Sequence, residues 1–76
     1  MTSKVVYSGD LRTSIEHCKS GQVSFTDAPI DNHGKGQAFS PTDLVATSLA
    51  SCMLTVVAIR AEEMGIDLKG SFANVQ

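Results

Sequence analysis

From Lys4 to Phe25 the chain runs in short segments separated by turn residues. Lys4-Val5-Val6-Tyr7-Ser8 leads to a Gly9-Asp10 turn, Leu11 to Glu16 leads to a Lys19-Ser20-Gly21 turn, and Gln22-Val23-Ser24-Phe25 follows. Glycine-containing turns at this spacing predict an antiparallel meander over residues 4–25. In the second segment Leu11, Thr13 and Ile15 alternate with Arg12, Ser14 and Glu16. In the third, Val23 and Phe25 alternate with Gln22 and Ser24. Side chains alternate across a strand, so one face of the sheet is expected to be apolar.

Residues 26–39 read as a loop, because Pro29, Asp31, Asn32, Gly34 and Gly36 interrupt any regular element. Gly34-Lys35-Gly36 lacks the glycine spacing and the Lys-Ser/Thr ending of a phosphate loop, and reads as a tight turn. At Ser40-Pro41-Thr42-Asp43 the pattern changes. A serine able to cap, a proline at the first helical position and an acid three residues after the serine together start a helix. Gly65 stops it, as a left-handed terminal residue with apolar Ile66 behind it. The predicted helix covers residues 41–64, a length of roughly 36 Å.

Its apolar positions include Leu44, Val45, Leu49, Met53, Leu54, Val56, Val57, Ile59 and Met64, and they occupy every side of the helix. A helix apolar all round is expected to be buried. One small sheet covers only one side, so further sequence or a second subunit is expected on the other. Residues 67–76 alternate again through Leu68, Phe72 and Val75, which predicts the start of another strand. The sequence stops within it, so the domain is expected to be incomplete as given.

Composition narrows the classes. A chain of 76 residues is one small domain or part of one. A net charge of −2 with six scattered basic residues leaves no footprint for nucleic acid. Two cysteines are too few for a secreted disulfide framework, and no apolar run follows Lys4 to form a leader, so a reducing cytoplasm is expected. The dense apolar run from Leu44 to Ile59 carries Thr47, Ser48, Ser51 and Thr55 and falls short of the roughly 20 residues of a membrane span. It reads as a core helix, with no membrane partner.

Cys52 sits mid-helix, beyond the first turn in which the helix dipole lowers a thiol pKa. In an apolar helix a free cysteine is commonly a small packing residue. The hydroxyls of Ser48, Ser51 and Thr55 lie within one turn and could hydrogen-bond a thiolate. Arg12 is the candidate activating cation, because guanidinium keeps its charge and can both stabilise a thiolate and orient an oxygen. Its alternatives are a solvated arginine, or one paired along the strand with Glu16. Asp43 could anchor that arginine or serve only as a capping acid. His17, Cys18, Asp31 and His33 lack the close pairing of zinc motifs, so no metal is expected.

Phe39-Ser40-Pro41-Thr42-Asp43-Leu44-Val45-Ala46, Leu49-Ala50-Ser51-Cys52-Met53 and Ala61 through Gly65-Ile66 resemble the central helix of the OsmC/Ohr family, the osmotically inducible protein C and organic hydroperoxide resistance proteins. The resemblance is specific over residues 34–65 and loose before them. It implies an α+β fold in which two copies intertwine, each long central helix packing between sheets of both subunits. It also implies a thiol-dependent peroxidase that reduces organic hydroperoxides or hydrogen peroxide, with Cys52 as nucleophile, Arg12 as activating cation and Asp43 as a candidate anchor. A dithiol would be the reductant, and no cofactor would be needed. Peroxidase members commonly carry Glu directly after the helix proline, where Thr42 stands here. The resolving cysteine of the family lies in a C-terminal half beyond this sequence, and Cys18 is not its equivalent. The alternative is a non-catalytic dimeric domain of the same fold that binds a small apolar ligand, with Cys52 structural.

Overall fold

A computed structural model describes residues 1–76. The order of elements is β1 (Ser3–Gly9), β2 (Arg12–His17), β3 (Val23–Asp27), a single 3-10 turn (Ile30–Asn32) and α1 (Pro41–Glu63). This is the expected α+β class, an antiparallel meander in the order β1-β2-β3 followed by one long helix. The chain divides into two compact units, Met1–Asp43 and Leu44–Gln76.

In the first unit, the β1–β2 hairpin turns on Asp10 and Leu11, both left-handed at φ 56° and 60°. Two positive φ values in a two-residue loop are what the twist of a tight hairpin demands. Tyr7 supports the turn, its hydroxyl accepting the Leu11 amide at 3.2 Å. Tyr7 pairs with Thr13 and Gly9 with Arg12, so Ser8 is a bulge. Bulges sharpen strand twist and re-aim neighbouring side chains, and this one faces Arg12. The β2–β3 hairpin closes where the Gly21 amide donates to the His17 carbonyl at 2.7 Å.

The register overturns the expectation of one apolar face. Ser14 stands opposite Phe25 and Glu16 opposite Val23, while Ile15 stands opposite Ser24 and Thr13 opposite Thr26. The apolar residues of β3 therefore share a face with the polar residues of β2. Alternation within each strand was read correctly, but pairing decides which alternating sets coincide. Both faces are mixed, and Val5, Tyr7, Val23 and Phe25 are all exposed.

Beyond β3 the loop folds back on itself. Amides of Asn32 and Gly34 donate to the Pro29 carbonyl, and Gly36 donates to Ala28. Gly34 is required there, because a Cβ would fall 1.8 Å from the Ala28 carbonyl oxygen. The Gly-Lys-Gly stretch is thus a tight turn, as its sequence suggests.

The start of α1 follows its sequence signals. Ser40 is buried, and its Oγ accepts the Asp43 amide at 3.1 Å, a cap that stabilises by about 1 kcal/mol. At the other end Ile66 donates to the Ala61 carbonyl and Gly65, at φ 75°, to Glu62. These are the two bonds of a Schellman ending.

Burial of the helix does not follow within the single chain. Ala61 is its one buried residue, with Leu44, Thr47, Ala50 and Leu54 half-buried along the same stripe. A groove of about 580 Å³ runs beside that stripe, lined by Leu54, Ala58, Ile66 and Leu68 among others. Seventy-six residues supply too little chain to enclose a helix apolar on every side. The strand expected over residues 67–76 is also absent; this segment forms no ladder and turns at Leu68–Ser71. Alternation marks a segment fit for a strand, but a strand exists only when a partner takes its hydrogen bonds. By length and by a mean hydropathy of 1.8 over its most apolar window α1 would also qualify as a membrane span, a criterion that core helices of soluble proteins meet as well.

Candidate functional site

Arg12 is the best-defined polar centre of the first unit. It opens β2 directly opposite Asp27, the last residue of β3. Its Nε donates to Asp27 Oδ1 at 2.7 Å and its Nη2 to Asp27 Oδ2 at 2.8 Å. Paired N–H donors facing two carboxylate oxygens make the strongest and most directional form of ion pair. Nη2 also donates to Gln37 Oε1 at 2.9 Å, and the Gln37 amide donates to Asp27 Oδ2 at 3.1 Å. The three residues close a ring of hydrogen bonds. The guanidinium carbon lies 5.7 Å from the centre of the Phe25 ring, within the range of a cation–π contact.

The Asp27 side chain is fully enclosed, whereas that of Arg12 keeps 28% of its surface. The hydrogen bond from Arg12 holds the Asp27 carboxyl below the usual carboxylate range; burial opposes this, while the Gln37 amide and the charges of Arg12 and Lys35 reinforce it. Arg12 is raised in turn, first by its hydrogen bond to Asp27, against burial. Both members stay charged in any neutral solution.

The partners differ from those expected. Arg12 is anchored by Asp27 and Gln37 rather than by Asp43 or by Glu16 along its own strand. Asp43 lies in the first turn of α1, where its amide donates to the Oγ of the capping Ser40 and its carboxylate adds negative charge at the helix start. Asp27 was missed because the turn read at Lys19-Ser20-Gly21 would set residue 12 opposite residue 28, whereas the observed loop pairs His17 with Gln22 and so sets Arg12 opposite Asp27. Gln37 carries no signal, since only the folding of the loop brings it to Asp27.

In the second unit Cys52 is exposed and free on α1, and Cys18, also free, is exposed in the β2–β3 turn. Two of the three hydroxyls expected to serve Cys52 are committed elsewhere. Ser48 Oγ donates to the Leu44 carbonyl at 2.7 Å and Thr55 Oγ1 to the Ser51 carbonyl at 2.9 Å. A hydroxyl has one proton, and within a helix the carbonyl one turn back is its nearest acceptor. Cys52 lies instead in a row with Val45, Leu49, Val56 and Ile59, spaced four and three residues apart. Each of those four apolar neighbours is more than half exposed.

No family model matches the sequence, and no curated protein matches it. Among solved structures, the chain is similar to a crystal structure of a candidate osmotic stress induced and detoxification response protein from Psychrobacter arcticus 273-4. The two share 62% identity and a TM-score of 0.97, over 100% of this chain and 56% of that one. The chain thus spans little more than half the length of that protein. The likeness supports the osmotically inducible protein C side of the resemblance and does not bear on the hydroperoxide resistance side.

Proposed function

We propose that this chain belongs to an OsmC-like stress-response protein and carries the nucleophilic thiol of a cytoplasmic, thiol-dependent peroxidase. The observation behind this reading is the capped helix with Cys52 in the family register, in a chain 62% identical to a stress and detoxification response protein. In the reaction, the Cys52 thiolate attacks one oxygen of a hydroperoxide. The S–O bond forms as the O–O bond breaks, sulfur gives up two electrons, and the other oxygen leaves with a proton as an alcohol or as water. The product is a sulfenic acid. A second thiol displaces its hydroxyl as water to form a disulfide, and a dithiol reductant restores both thiols. Arg12 is the activating cation, held in place by Asp27 and Gln37. Asp43 acts through the helix start. No metal or organic cofactor enters these steps.

Two copies of the complete protein are proposed to associate through the exposed face of α1, which would bury the row around Cys52. The decisive experiment is peroxide consumption by the complete protein with a dithiol. Cys52→Ser is expected to abolish turnover, and undiminished turnover would sink the reading. A second reading, a non-catalytic dimeric domain holding a small apolar ligand, draws on the commitment of Ser48 and Thr55 to backbone carbonyls, which leaves the thiol without those donors. Under that reading Cys52 is alkylated no faster than free cysteine.

A further inference from the structure

We draw no further inference here: the strongest candidate, the groove beside α1 in the second unit lined by Leu54, Ala58, Ile66 and Leu68 among others, is an open apolar surface, and nothing in the structure shows what covers it.

Discussion

Asp27 shows how much one residue's setting can differ from its type. As a lone aspartate at a strand end it would be an ordinary turn acid, but it is the most deeply enclosed side chain of the chain and receives both forks of Arg12. Because Arg12 bonds the charged form, the folded pKa of Asp27 lies below its unfolded value. The stability it contributes is complete above the unfolded value of about 4 and is lost as pH falls through the lower folded one. Thermal melts of the complete protein between about pH 5 and pH 3 should therefore show a steeper loss for wild type than for Asp27→Asn, which has no such proton to gain. Parallel melting curves would show that the pair does not contribute to acid stability.

At the scale of elements, local signals and local structure agree closely in α1. Its cap, its proline start and its left-handed glycine stop were all legible, because each acts within one turn of the chain. The first hairpin is less comfortable. Leu11 holds φ 60° in its turn, a conformation in which Cβ crowds the carbonyl. Leu11→Gly leaves an Asp-Gly turn of the favoured type and is expected to stabilise by about 1 kcal/mol. Denaturant unfolding of the complete protein checks this; a loss of stability would mean that the half-exposed leucine side chain contributes more than the strain costs. Strand alternation was equally legible, yet the choice of face was not. The register placed Phe25 and Val23 beside Ser14 and Glu16, and only pairing could reveal it.

At the scale of the whole molecule, the row of Val45, Leu49, Cys52, Val56 and Ile59 is the unresolved feature of the single chain. Exposed apolar surface this continuous is unusual for a chain without partners. A four-three spacing matches the seam by which helices pack on each other. The proposed second copy would cover it. Sedimentation of the complete protein should give the mass of a dimer, and Leu49→Lys with Val56→Lys should shift it toward the monomer. A wild-type monomer would count against the association and, with it, against a thiol enclosed between copies.

What the sequence determined by itself is whatever depends on near neighbours: the meander, its turns, the limits of α1, and a helix too apolar to stand alone. These follow from propensity, periodicity and capping, all of which operate over a few residues. What the tertiary structure decided depends on residues far apart in the chain. It paired Arg12 with Asp27 across fifteen residues and with Gln37 across twenty-five, mixed the two faces of the sheet, and left residues 67–76 without a ladder. Register and ion pairing are choices among distant partners that are each compatible with the local pattern, and only the fold selects between them.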